Sequence, residues 1–173
     1  MMIWLLLVTA AAAAAAVRTD AGTPAATNPL AGTWRLVLVD NVLPDGSRVQ
    51  LYGPNPQGML VFDGAGRYSL QIVSAGRPRF ASNDKGRGTP EEYRAAVQGS
   101  NSHFGRYSVD QATHTITFSI EHASFPNWEG TEQKRSFSVT GDRLRYTVPA
   151  PTTGNGAVGE VEWRRASEAA GSR

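Results

Sequence analysis

Three polar residues stand where an apolar lining is expected. Phe137 and Val139 mark the apolar face of one strand, and Arg135 and Gln133 continue that face backwards by steps of two. On the preceding strand Ile116, Phe118 and Ile120 share a face that ends in His122. Side chains two apart along a strand point the same way. If Phe137 points inward, Arg135, Gln133 and His122 converge near one end of an interior. An arginine there would hold an acidic head group such as a carboxylate, while Gln133 and His122 fixed its orientation. A buried hydrogen-bond network is the plainer use of the same three groups. Phe118, Tyr68, Tyr107 and Tyr146 would supply flat apolar surface, the tyrosines with a polar tip. Phe125-Pro126-Asn127-Trp128 spends two aromatics on one turn, as an aromatic rim would, or as a corner packed back on the core.

Catalysis has a narrower basis. Glu121 and His122 are neighbours on a strand and point to opposite faces, so they cannot form an acid–base pair in one pocket. A single histidine with a tyrosine or arginine could still move a proton in an isomerisation or dehydration. His103, His114 and His122 lack the close spacing of a zinc site, and no metal is expected. Nor is a haem or any other cofactor. Gly64 and Gly66 open a strand rather than a helix, so there is no phosphate loop. Arg77, Arg79, Lys85 and Arg87 alternate with glycine, proline and serine and read as a solvated loop.

The elements that must position these groups are strands. Thr33–Asp40 carries Trp34, Leu36 and Leu38 on one face. Gly58–Asp63 and Arg67–Val73 flank Asp63-Gly64-Ala65-Gly66, a hairpin signal, and Tyr68, Leu70 and Ile72 alternate with polar residues. His103–Asp110 and His114–Ser124 form a second hairpin, Thr131–Thr140 and Arg143–Pro149 a third around Gly141-Asp142, and Gly159–Arg165 closes the set. The long interruption from Ser74 to Ser102 holds one helix, with Thr89 as N-cap, Pro90 in its first turn, Glu92 completing a capping box and Gly99 stopping it. That helix is placed over a barrel mouth, as a lid or a plain connection. A Trp opening the first strand and an Arg closing the last can meet only if the sheet curls on itself. The expected fold is therefore all-β, an eight-stranded antiparallel barrel with one short helix in a long loop, wide enough for one small ligand. A bulge near Gly105 or Ser124 would reverse some inward assignments.

Composition sets the remaining bounds. The 17 basic and 15 acidic residues nearly balance and form no long run, which argues against nucleic acid as a partner. There is no cysteine, hence no disulfide, catalytic thiol or lipidated N-terminal Cys. Ile3–Val17 is uncharged and rich in Leu and Ala, too short to span a bilayer comfortably, and followed by small residues. It reads as a secretory signal over residues 1–21, giving a periplasmic or secreted protein with no stable membrane span once the signal is removed. Residues 22–29 read as a flexible linker, 30–166 as the barrel and 167–173 as a disordered tail.

Six segments resemble a known family. They are Leu30-Ala31-Gly32-Thr33-Trp34-Arg35-Leu36-Val37, Tyr52-Gly53-Pro54-Asn55-Pro56-Gln57-Gly58-Met59-Leu60, Phe104-Gly105-Arg106-Tyr107-Ser108-Val109, Ser124 through Arg135, Gly141-Asp142-Arg143-Leu144 and Trp163-x-Arg165. Together they resemble the lipocalin-like domain proteins of the calycin type, over about Leu30 to Arg165. The resemblance implies a small barrel in which Trp34 and Arg165 form the lipocalin Trp–Arg pair, the guanidinium lying across the indole to close the narrow end. A guanidinium so placed contributes about 0.5–2 kcal/mol. The resemblance also implies relatives that carry apolar small molecules or, less often, isomerise or cyclise them. The expected function is binding of a small, mostly apolar ligand, with an acidic group held by Arg135. The alternatives are a cofactor-free isomerase, cyclase or dehydratase in the same cavity, or a protein-binding module with a filled barrel.

Overall fold

Tight turns set the sheet. At the first hairpin the Asp63 carboxylate accepts from Ala65 N–H at 2.9 Å and Arg67 N–H at 2.7 Å. Gly66, at φ 83°, supplies the left-handed backbone that this turn needs. Asp110 likewise accepts from the backbone of Ala112 and Thr113, and Gly141 takes φ 59°. In the computed structural model, which describes residues 28–152 and 156–167, these turns join β3 (Gln57–Phe62) to β4 (Arg67–Val73), β5 (Ser100–Asp110) to β6 (Thr115–Ala123), and β7 (Glu132–Thr140) to β8 (Arg143–Val148). The chain starts the sheet with β1 (Gly32–Val42) and ends it with β9 (Val158–Arg165). A short β2 (Arg48–Gln50) hangs on the end of β1.

All pairings are antiparallel, and β1 pairs with β9. Eight long strands thus close into a ring, with β2 as an extra lip. The three tight hairpins and both strand termini gather at one end. The four longer connections gather at the other. The expected barrel is therefore present. The expected leader, and almost all of the linker and tail, lie outside the described residues. Among the described residues no helix is long and apolar enough to cross a membrane.

Two bulges decide which residues face in. Along the β1–β9 seam the register shifts between Leu36 and Leu38. Trp34 and Leu36 hold the inward face as expected, but past Val37 the parity reverses. Leu38 pairs with outward-facing Glu162, while Val39 pairs with inward Val161. The expectation that Leu38 shares the face of Trp34 is corrected accordingly. The second shift lies between β5 and β6, where Gly105 faces Ile120 but Phe104 faces His122. Glu121 is the extra residue. A side chain on Gly105 would put its Cβ 2.1 Å from Ser119 O and 2.8 Å from Glu121 N, so the strands approach this closely only over a glycine.

The core fills the hairpin end. Phe62 packs on Tyr107 at 4.6 Å between ring centroids, and Tyr68 meets Phe118 edge-on at 4.7 Å. Trp34, Leu60, Ile116, Leu144 and Trp163 are wholly buried there. The Arg165 guanidinium lies 4.1 Å over the Trp34 ring and donates to Ala31 O at 2.7 Å and Pro29 O at 2.6 Å. Trp34 Nε1 donates to Leu30 O at 2.8 Å. Asn28 ties down the entry by donating to the Tyr107 hydroxyl at 2.6 Å. That hydroxyl donates in turn to Asp63 O at 2.7 Å. The Trp–Arg pair therefore acts by gripping the incoming chain as well as by covering the indole.

The helix α1 (Pro90–Gln98) forms as its residues require. Thr89 Oγ1 accepts from Glu92 N–H at 3.2 Å, and the Glu92 carboxylate accepts from Thr89 N–H at 2.8 Å. The same carboxylate accepts from Ala81 N–H at 2.8 Å, fastening the loop to the helix.

Replacing Arg165 with Met removes the cation over Trp34 and both carbonyl contacts. Urea denaturation should show a loss of about 2–4 kcal/mol. Gly105→Ala should cost about 1–3 kcal/mol in the same assay, by forcing β5 and β6 apart at the bulge.

Candidate functional site

The end with the long connections holds a cavity of about 620 Å³. Its wall is mostly apolar, built by Val39, Leu51, Leu70, Ile72, Phe118 and Val161. Gln133 and Arg135 line it as expected, because β7 runs without a bulge from them to buried Phe137. Phe118 and Tyr146 line it too.

Arg135 is half-buried and bonded only to neutral groups. One Nη donates to the Gln133 side-chain oxygen and the other to Lys134 O at 2.9 Å. Among the described residues no carboxylate pairs with it. Burial pulls its pKa below the ordinary arginine value, and the nearby Tyr146 and Tyr68 hydroxyls oppose that pull. Burial also pushes the Tyr146 hydroxyl up to about 12. The site thus holds a half-buried positive charge in a largely apolar chamber, where electrostatic interactions are stronger than in water.

Three expected site residues are elsewhere. His122 is outside the barrel, 3.4 Å from Glu129 and against the Phe104 ring. The Glu121 bulge reverses its parity, so the alternation that puts Ile116, Phe118 and Ile120 inward stops before it. Tyr107 faces inward but lies at the hairpin end, tied to Asn28 and Asp63, and does not reach the cavity. Tyr68 lies one layer below the cavity wall. Its hydroxyl is 2.7 Å from Nδ1 of His103.

His103 is the histidine that the cavity contains. It pairs across the sheet with Leu70 and is buried. Burial, with Arg135 adding to it, lowers its pKa to about 4, so the ring is neutral near pH 7. Its position shares parity with Gly105, Tyr107 and Val109, which is the signal that would have found it. Asn101 continues this face, because β5 begins at Ser100 rather than at His103. Asn101 Oδ1 is buried without a hydrogen-bond partner. Tyr52 also lines the cavity, from a loop with no periodic signal.

The expected aromatic rim divides. Trp128, in the single turn of 3-10 helix Pro126–Trp128, forms part of the wall and meets His103 edge-on at 5.9 Å. Phe125 sits outside it, exposed, edge-on to Trp128 at 5.5 Å. No residue of α1 lines the cavity, so the helix is a connection beside β5 rather than a lid.

Other parts of the surface offer less. A hollow of about 570 Å³ on the outer face of β7–β9 is lined by Arg48, Arg145, Glu160 and Glu162. Their charges neutralise one another, Arg48 with Glu160 at 2.7 Å and Arg145 with Glu162 at 2.8 Å. Among the described residues no three of His, Asp and Glu gather as a metal site.

The chain is similar to several known proteins. A relative, the 4'-hydroxy-3'-methoxypropiophenone carrier protein ppsC of Aspergillus oryzae, is 29% identical over 89 residues, covering 48% of this chain and 80% of that protein. A lipocalin-like protein from Bacteroides uniformis superposes with a TM-score of 0.43 at 14% identity, over 79% of this chain and 98% of that one. A redesigned beta barrel superposes with a TM-score of 0.40 at 13% identity, over 80% of this chain and 92% of that one. Residues 31–166 match the model of the lipocalin-like domain. That span takes in every strand from β1 to β9, and the chain belongs to the lipocalin-like domain family.

Proposed function

We propose that this protein binds and carries a small, mostly apolar molecule bearing an acidic group, outside the cytoplasm. The observation that carries the reading is Arg135, a half-buried cation in the cavity wall with no carboxylate partner among the described residues. A desolvated charge of this kind is stabilised by a matching charge, and a ligand anion supplies one. Apolar side chains on the facing strands suit the rest of such a molecule. A carrier role agrees with the name of the Aspergillus oryzae relative, a carrier protein for a hydroxylated aryl ketone. Export rests on the uncharged Ile3–Val17 segment.

A filled barrel and an enzyme built on His122 fare worse on geometry. A filled barrel acting through its surface does not fit a cavity of this size. An isomerase, cyclase or dehydratase built on His122 lacks that histidine in the cavity.

Arg135→Met tests the carrier reading. Calorimetry should show binding of apolar carboxylic acids weakened about tenfold or more, as expected for losing one charge-assisted contact. The methyl esters of the same acids should bind almost as before, and circular dichroism should be unchanged. Acid binding that survives the substitution would remove Arg135 from the site.

A further inference from the structure

The buried pair behind the cavity wall has a defined polarity. Tyr68 on β4 stands opposite Gly105, which has no side chain to crowd it, and reaches His103 on the same strand as that glycine. Among the described residues the contact with His103 Nδ1 is the one hydrogen bond of the Tyr68 hydroxyl. Burial, with Tyr146 adding to it, raises the pKa of that hydroxyl well above the ordinary tyrosine value, so it keeps its proton. A buried O–H donates to the acceptor within reach. The acceptor here is Nδ1. A neutral imidazole that accepts at Nδ1 carries its own proton on Nε2. His103 therefore meets the cavity as an uncharged N–H donor, held in one tautomer by Tyr68.

Arg135 lines the same cavity from β7, as a permanent cation. The other titratable groups there do not compete strongly with this pair. Tyr52 and Tyr146 are neutral, while Glu132 and Lys134 are exposed at the mouth and opposite in sign. A neutral donor and a cation on different strands favour the charged form of an oxygen over its protonated form. Phe118, Trp128 and Tyr146 supply flat walls beside it.

We propose that His103 and Arg135, with Tyr68 as the positioning residue, form an oxyanion pocket that takes a weakly acidic conjugated hydroxyl, a phenol or an enol, in its ionised form. This inference rests on the carrier reading of the cavity and names its ligand class. It adds a consequence that simple binding lacks: the protein lowers the pKa of what it holds.

The test is a spectrophotometric pH titration of 4'-hydroxypropiophenone, free and bound to the full chain, since its phenolate absorbs at longer wavelength than the phenol. The expected result is a bound pKa at least about one unit below the free value, which means phenolate binding about tenfold tighter than phenol. Arg135→Met should abolish the shift. Tyr68→Phe should shrink it, because the ring would lose its fixed tautomer and not its place. A probe that binds with an unshifted or raised pKa overturns the oxyanion pocket and leaves the carrier reading standing. Binding of benzoate but not of the phenol, followed by tryptophan fluorescence, does the same. Failure of both probes to bind overturns the two together.

Discussion

Closing eight strands on themselves is the constraint from which the rest follows. The pairing of β1 with β9 joins the two edges that the eight long strands would otherwise leave open. It also obliges the strands to tilt and bend, and the two bulges absorb that bending. One lies on the seam itself, at Val37, and the other lies between β5 and β6, at Glu121. Each reverses the parity of everything beyond it on its own strand. Val39 and Asn41 thereby enter the cavity wall, and His122 leaves it. The contents of the site are a result of how the ring closes.

The interior is then divided along the barrel axis. Toward the hairpins, large side chains interlock and the incoming chain is gripped by Arg165. Toward the long connections, packing stops short and leaves a chamber. Arg135 stands in that chamber with its donors partly satisfied by Gln133 and Lys134 and its charge unanswered. A second arginine with the same chemistry, Arg165, sits at the opposite end on an aromatic face and two carbonyls. The two arginines differ in their surroundings and not in residue type.

Much of this frame is readable from residue order. Turn residues, alternation and the helix cap are local properties, and each appears in the structure where its chemistry requires. Arg135 and Gln133 are readable for a related reason: no bulge intervenes between them and Phe137, so parity holds. His122 is misread because one extra residue opposite a glycine is a property of two strands together, and neither strand displays it alone. Tyr107 shows a different limit. Period two says that it faces inward, but not how far along the axis it lies. Tyr52 comes from a loop, where there is no period to read.

The two ends of the barrel also carry separate structural duties. Closure depends on the hairpin turns, the Trp34–Arg165 stack and the grip on the entering chain, all gathered at one end. Several groups of the cavity wall, Tyr52 and Trp128 among them, come from the long connections at the other. Substitutions and insertions in those connections can accumulate without disturbing the seam. One frame of this kind can change its cavity wall while its folding determinants stay fixed, a modularity built into a single domain.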